Sequence, residues 1–341
     1  MSEGPPRDAA RSGPAGCAGP SAPAGRSGAS GPTLTTRGLT RRFGPLTAVE
    51  DLTLEVARGE LFGIVGPDGA GKTTTLRMLA GVLRPSAGEI EVEGVDVVRD
   101  PEGAKPYLAY MSQRFGLYND LTVEENLTFY ADLYRVPRRK RPDRMARLYR
   151  FSRLGEFHDR RAGALSGGMK QKLSLSCALI HHPRVLLLDE PTFGVDPISR
   201  RELWLILHEM VAEGVTVVVS TSYLDEAERC DRVALLDRGR VLALAPPTAL
   251  QARLEGVMFA LRTSDPRATR DLLRVTPGVA SATLFGDAVH ALVGERLPAD
   301  EIRGRLIEAL PTLEVHDIER IDPSLEDVFI HLVRLREAGV P

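Results

Sequence analysis

The chain has 341 residues, 43% of them hydrophobic and 26% charged, with a formal net charge of -2. That is enough for one large domain and a smaller one, of ordinary globular composition. The near-neutral balance gives no general attraction to nucleic acid. Three cysteines without metal-ligand spacing (Cys17, Cys177, Cys230) argue against a disulfide framework and a zinc site, and for reduced thiols.

Residues 1–32 are dominated by Gly, Pro, Ala and Ser, cannot bury enough apolar surface to offset their ordering entropy, and read as a disordered tail. They contain no apolar h-region, so they do not read as a secretory signal. Thr33–Arg37 and Leu52–Ala57 have strand character, and the short apolar strand Glu60–Val65 runs into a glycine-rich loop. Helical spacing over Thr73–Val82 follows, then a strand over Ile90–Val97. Between about Thr122 and Arg161 the periodicity is helical, which reads as an inserted subdomain over about 114–165. Helix Lys170–Ile180, strand Arg184–Leu188, helix Arg200–Ala212 and strand Val215–Ser220 come next. Strands alternating with helices predict an α/β fold with a mainly parallel sheet covered on both faces.

After about Leu254 a second unit is expected, over 255–341. It reads as strand Val257–Arg262, helix Pro266–Val275, the strand pair Ala280–Leu284 and Ala288–Val293 around Gly286-Asp287, helix Ala299–Leu310 and strand Glu314–Ile321. That βαββαβ order predicts a small ferredoxin-like α+β domain, closed by a last helix over Leu325–Arg336. No run reaches the ~20 apolar residues of a membrane-spanning helix, so if this protein serves a membrane, another chain must cross it.

Gly66-Pro67-Asp68-Gly69-Ala70-Gly71-Lys72-Thr73 satisfies G-x-x-x-x-G-K-[ST] between a strand and a helix, the setting that gives a P-loop its meaning. Glycines let the backbone N–H groups turn inward toward phosphate oxygens, and the helix adds the positive end of its dipole. Lys72 is then expected to reach the β- and γ-phosphates of a nucleotide such as ATP, and the Thr73 hydroxyl to ligate Mg²⁺, with Thr74 beside it. Val185–Leu188 is a buried apolar run ending in Asp189-Glu190. Asp189 is placed to hold Mg²⁺, and Glu190 to act as general base on a water attacking the γ-phosphate.

Together with Gln113, Leu165-Ser166-Gly167-Gly168-Met169-Lys170-Gln171 and Gly194-Val195-Asp196, these motifs stand in the order of the ATP-binding cassette (ABC) ATPases. The resemblance covers about Leu34 to Leu254, and implies a P-loop NTPase core of ABC type over 33–254. It implies that Phe43 stacks on adenine, that Gln113 touches Mg²⁺ or the attacking water, and that Ser166, Gly167, Gly168 and Asp196 meet ATP held by a second cassette. The active unit implied is a dimer, with a second copy or a paralogous chain, attached to a separate transmembrane permease. The location implied is the cytoplasmic, inner face of the cell membrane.

One position departs from the pattern: Ser222 stands where the family carries a switch histidine. A hydroxyl can bond a phosphate oxygen but lacks the charge and reach of an imidazole. Ser222 is therefore either a tolerated variant of an active site or the mark of a low-turnover partner in an asymmetric heterodimer. Arg138-Arg139-Lys140-Arg141, with Arg144 and Arg147, reads as a solvated face, with anionic lipid beside a permease as the alternative. His181 and His182 read as surface loop residues. Phe115, Leu117 and Tyr118 are either core or the groove that receives a permease helix. The ending Pro323-Ser324-Leu325-Glu326-Asp327-Val328-Phe329 is similar to that of ABC-2-type exporters, including the drug-resistance group. A non-transport ABC ATPase acting on ribosomes or DNA is the remaining alternative, disfavoured by the single cassette and the lack of a long coiled-coil insertion.

Overall fold

The structure is a computed structural model that describes residues 31–113, 116–294 and 297–337. The tail reading of 1–32, Cys17 and Phe115 fall outside these residues, apart from Gly31 and Pro32.

The chain opens with β1 (Pro32–Phe43) and β2 (Leu46–Ala57), an antiparallel pair turning at Gly44-Pro45. Both run well beyond the short strands expected. In β2, Leu52, Leu54 and Val56 are buried while alternate residues face water, the pattern of a sheet with one covered face. β3 (Leu61–Val65) is buried throughout and delivers the chain to the glycine loop and α1 (Lys72–Leu79). The expected strand at 90–97 is broken at Glu93-Gly94, both at positive φ (50° and 80°), into β4 (Ala87–Val92) and β5 (Val95–Asp96). These join β1 and β2 in a sheet ordered β2-β1-β4-β5.

After the short α2 (Pro101–Ala104) comes β6 (Leu108–Met111), which the sequence pattern did not reveal. The helical segment holds α3 (Val123–Leu133), capped reciprocally by Thr122 and Glu125, and α4 (Arg141–Ser152). α5 (Gly167–Leu179), β7 (Val185–Asp189), α6 (Pro197–Ala212) and β8 (Thr216–Thr221) follow. Then come α7 (Leu224–Ala227), the unforeseen hairpin β9 (Arg232–Asp237) and β10 (Arg240–Ala245), and α8 (Pro247–Gln251). The central sheet runs β10-β9-β3-β8-β7-β6, parallel except for β9/β10.

Successive residues of the central strands feed two different cores. Phe62, Ile64, Leu187 and Val218 pack with α1 and the antiparallel sheet. Leu61, Val65, Leu186, Leu188, Val217 and Val219 pack with Trp204 and Leu207 of α6 on the opposite face. Period-two geometry thus explains why these strands read as continuous apolar runs. A third core joins Val123 and Leu127 of α3 to Leu173 and Cys177 of α5.

The remaining chain is β11 (Val257–Thr263), α9 (Pro266–Val275), β12 (Val279–Phe285), β13 (Ala288–Val293), α10 (Ala299–Ala309) and β14 (Val315–Ile321). They form an antiparallel sheet ordered β12-β13-β11-β14 with its own core, in which Leu273 of α9 and Leu306 of α10 pack. The final helix, α11 (Leu325–Glu337), departs from expectation. Leu325 and Val328 insert into the core shared by α6 and the central sheet, not into that of the last sheet.

Candidate functional site at the carboxyl ends of the central strands

Four parallel strands aim their carboxyl ends at one place, where open α/β sheets hold ligands. β3 supplies the glycine loop, β7 supplies Asp189 and Glu190, β8 supplies Ser220, and β6 leads to Gln113. Two glycines of the loop are required by close approach. A Cβ on Gly66 would stand 2.1 Å from the Leu236 carbonyl oxygen, and one on Gly71, already at φ 102°, 2.5 Å from that of Ala48.

Lys72 is 4% exposed. Its ammonium donates to the Gly66 and Pro67 carbonyls at 2.8 and 3.1 Å and pairs with Glu190 Oε1 at 3.1 Å. Gln113 Nε2 donates to the other Glu190 oxygen at 3.2 Å. Asp68 is exposed, with its carboxylate 4.0 Å from Lys72. Glu190 sits at φ 47°, a conformation costing on the order of 1–3 kcal/mol. Its N–H is held by both oxygens of Ser220, the hydroxyl at 3.0 Å and the carbonyl at 3.2 Å.

Asp189, 1% exposed, accepts from Thr73 Oγ1 and Ser220 Oγ on one oxygen, each at 2.9 Å, and from the Tyr110 hydroxyl on the other at 3.3 Å. Burial first, and the Asp189 charge second, push the Tyr110 hydroxyl up to about 12, so it stays a donor. A buried carboxylate beside a hydroxyl offers the hard oxygen donors that suit Mg²⁺. Among the described residues no cluster of three or more His, Cys, Asp or Glu could hold a metal. An ion here would rest on Thr73 and Asp189, which lie within hydrogen-bond distance of each other, with the phosphates of a bound nucleotide and Gln113 nearby.

In front of these groups lies a cleft of about 520 Å³, lined by Phe43, Leu46, residues Asp68 to Thr74, Gln113, Glu190 and Phe193. Phe43 is 43% exposed, and the Arg41 guanidinium sits 4.4 Å from its ring centroid. The cleft thus brings together Phe43, the loop, Gln113 and Glu190. Ser166, Gly167, Gly168, Asp196 and Ser222 do not line it.

Ser166 instead caps α5, accepting from the Met169 N–H at 3.3 Å, and Asp196 caps α6 through the Ser199 N–H at 2.9 Å. That backbone bond, with one from the Ser199 hydroxyl, holds Asp196 below the usual carboxylate range. A Cβ on Gly168 would meet Ser199 Oγ at 2.2 Å, so the starts of α5 and α6 press together. Ser166, Gly167 and Asp196 are all exposed.

Sequence reasoning missed Tyr110 and Ser220 as partners of Asp189, and Leu46 and Phe193 as lining. No residue-type pattern marks them: strand pairing brings in Tyr110 and Ser220, while Leu46 starts β2 and Phe193 lies in the turn after β7. The surface readings of His181 and of the basic cluster also change. His181 is half-buried, its Nε2 donating to the Leu108 carbonyl at 2.9 Å and its ring stacked on Tyr134. The basic cluster divides: Arg138, Arg139 and Lys140 face solvent. Arg141 reaches Val136 O and Asp132, Arg144 reaches Ile180 O, and Arg147 pairs with Glu213.

The fold and the loop together define an α/β P-loop NTPase core of ABC type. Residues 49–193 match the ABC transporter family, a span holding the glycine loop, Gln113, the Ser166–Gly168 start of α5 and Asp189-Glu190. The chain is 45% identical, over 88% of its length, to the probable multidrug ABC transporter ATP-binding protein YbhF of Escherichia coli (strain K12), and spans about half (52%) of that protein. It is 35% identical to the daunorubicin resistance ATP-binding protein DrrA2 of Streptomyces coeruleorubidus, over 86% of this chain and 92% of that one. A solved ATP-binding subunit of an ABC transporter superposes with a TM-score of 0.59 at 32% identity, covering 65% of this chain and 92% of the other. The chain belongs to the ABC transporter family.

Proposed function

We propose that this chain binds and hydrolyses ATP with Mg²⁺ and powers a separate transmembrane permease, as the ATP-binding subunit of an ABC exporter. The observation that carries the reading is the convergence of Lys72, Thr73, Gln113 and Glu190 on one nucleotide-sized cleft, with Asp189 buried behind Thr73 and bonded to it. The γ-phosphate of ATP competes with Glu190 for the Lys72 ammonium, and the loop's N–H groups take the remaining phosphate charge. Freed from Lys72 and still held at its backbone by Ser220, Glu190 orients the attacking water and takes its proton. Gln113, bonded to Glu190, positions that water. Mg²⁺ bound at Thr73 and Asp189 would supply charge neutralisation between the phosphates. Phe43 offers its exposed face to the adenine ring.

The exposed positions of Ser166, Gly167 and Asp196, away from the chain's own cleft, support their use on ATP held by a second cassette. A groove of about 750 Å³, lined by Val82, Leu108, Tyr110, Leu133, Tyr134 and His181, offers a concave surface to a permease segment. Tyr110 both lines it and bonds Asp189, which links that surface to the site. The multidrug and daunorubicin-resistance relatives support export, and attachment to a permease would hold the subunit at the cytoplasmic face of the membrane. None of the described helices is long and apolar enough to cross a membrane.

Ser222 favours a second reading, a low-turnover partner in an asymmetric heterodimer. ATP turnover of the purified chain with Mg²⁺, beside Glu190→Gln, separates the two. Turnover that disappears in Glu190→Gln supports the ATPase. ATP binding without turnover supports the asymmetric partner, and no ATP binding at all refutes both.

A further inference from the structure

Helix α11 lies outside the nucleotide cleft, yet it ends on the turn that backs the P-loop. Arg336 donates to the Asp237 carbonyl at 3.1 Å and forms an ion pair with the Asp237 carboxylate, which is only 10% exposed. Arg238, next in the chain, lies 3.3 Å from Glu337. Asp237 closes β9, and Arg238 and Gly239 turn the chain at φ 48° and 79°. That turn touches the P-loop at both ends. The Gly239 N–H donates to Ala70 O at 3.1 Å, the Gly239 carbonyl accepts from Glu50 N at 2.8 Å, and Leu236 O packs against Gly66.

The other face of α11 grips the last sheet. Arg334 donates to Ala282 O and Thr283 Oγ1 of β12 at 3.1 and 3.2 Å, and Asp327 meets His290 of β13 at 3.1 Å. Between these grips Leu325 and Val328 seat the helix in the main core. One rigid helix therefore spans from the last sheet to the back of the phosphate loop.

The geometry points to α11 as a strut through which the C-terminal sheet sets the P-loop, with Arg336 as the positioning residue for nucleotide binding. Without the guanidinium, the Asp237 carboxylate loses its ion-pair partner in a largely buried position. The 237–240 turn then shifts, and the Ala70 carbonyl it holds shifts with it. A ligand or partner that moves the last sheet changes ATP affinity by the same route, and ATP changes the affinity for that partner in return.

This inference rests on the ATP-binding reading, so the test measures both. ATP affinity is read on the full chain by titration calorimetry, for the wild type, Arg336→Ala, Arg336→Lys, Arg238→Ala and Lys72→Ala, with thermal midpoints alongside. The expected result is a loss of about fivefold or more in Arg336→Ala, partial recovery in Arg336→Lys, and near wild-type binding in Arg238→Ala, whose pair with Glu337 is exposed. Wild-type affinity in Arg336→Ala overturns the strut. So does a loss that Arg336→Lys does not recover and that follows the thermal midpoint equally in Arg238→Ala, because that is general destabilisation. A wild type that binds ATP no better than Lys72→Ala removes the ATP-binding reading itself, and the strut with it.

Discussion

Ser220 is the hinge between the two carboxylates of the site, and Ser220→Ala is the sharpest perturbation the structure offers. The residue is fully buried, its hydroxyl donates to Asp189, and it accepts from the Glu190 N–H. Removing it deletes one hydrogen bond to a charged acceptor, worth about 1.5–3 kcal/mol. The Glu190 N–H keeps the Ser220 carbonyl, and Asp189 keeps Thr73 and Tyr110. The expected cost is therefore about 2 kcal/mol of stability, measured as a shifted urea midpoint. The 3.3 Å bond of Tyr110 is at the long end for a hydroxyl, so Tyr110→Phe should cost under about 1 kcal/mol. Glu190 is held at a strained φ partly by this hydroxyl, so Ser220→Ala should also slow ATP turnover by about tenfold, the equivalent of 1.4 kcal/mol. A midpoint change worth less than about 0.5 kcal/mol, the scale of an ordinary surface substitution, refutes the energetic argument. Normal turnover in a destabilised variant refutes the claim that Ser220 positions Glu190.

Three further outcomes follow from the same geometry. Gly66→Ala should cost about 3 kcal/mol of stability, through the clash with Leu236 O. Gly69→Ala, at φ 82° with open space around it, should cost only about 1–2 kcal/mol; equal costs would show that backbone approach is not the constraint. Ser222→His should leave turnover close to wild type if the serine is a tolerated variant, whereas a large rise in the rate assay would favour the asymmetric-partner reading. Burial lowers the His181 pKa, so below about 6.5 the unfolded chain takes up a proton that the folded chain refuses. Stability from this group is complete above pH 6.5 and is lost as the pH falls from there toward the depressed folded value. His181→Gln should flatten that loss in denaturation curves taken between pH 7.5 and 5.5 (about two units spanning the His range), without abolishing it, because His182 and His208 are lowered the same way. Identical curves would refute it.

The loop Gly66–Thr73, the Asp189-Glu190 pair and the Ser166–Gly168 helix start were legible in the sequence, because each depends on residues adjacent in the chain. A phosphate loop needs glycines at set intervals, and a buried strand needs unbroken apolar residues; both leave marks that need no partner to interpret. The strands β6, β9 and β10 left weaker marks. Tyr110 gave none, since its place beside Asp189 is set by the pairing of β6 with β7, 75 or more positions apart in the chain. Ser220 meets Asp189 only because β8 aligns with β7 in that register.

The sequence by itself therefore marked the glycine loop, the Asp189-Glu190 pair and the alternation of strand and helix. Only the tertiary structure decided which donors hold the two carboxylates, that Ser166 and Asp196 cap helices beyond the chain's own cleft, and that the last helix seats in the main core. The physical reason is one of range. Local backbone demands and burial periodicity are written in consecutive residues, whereas hydrogen-bond partners across a sheet and the docking of α11 follow from long-range register, which neighbouring residues in the chain do not encode.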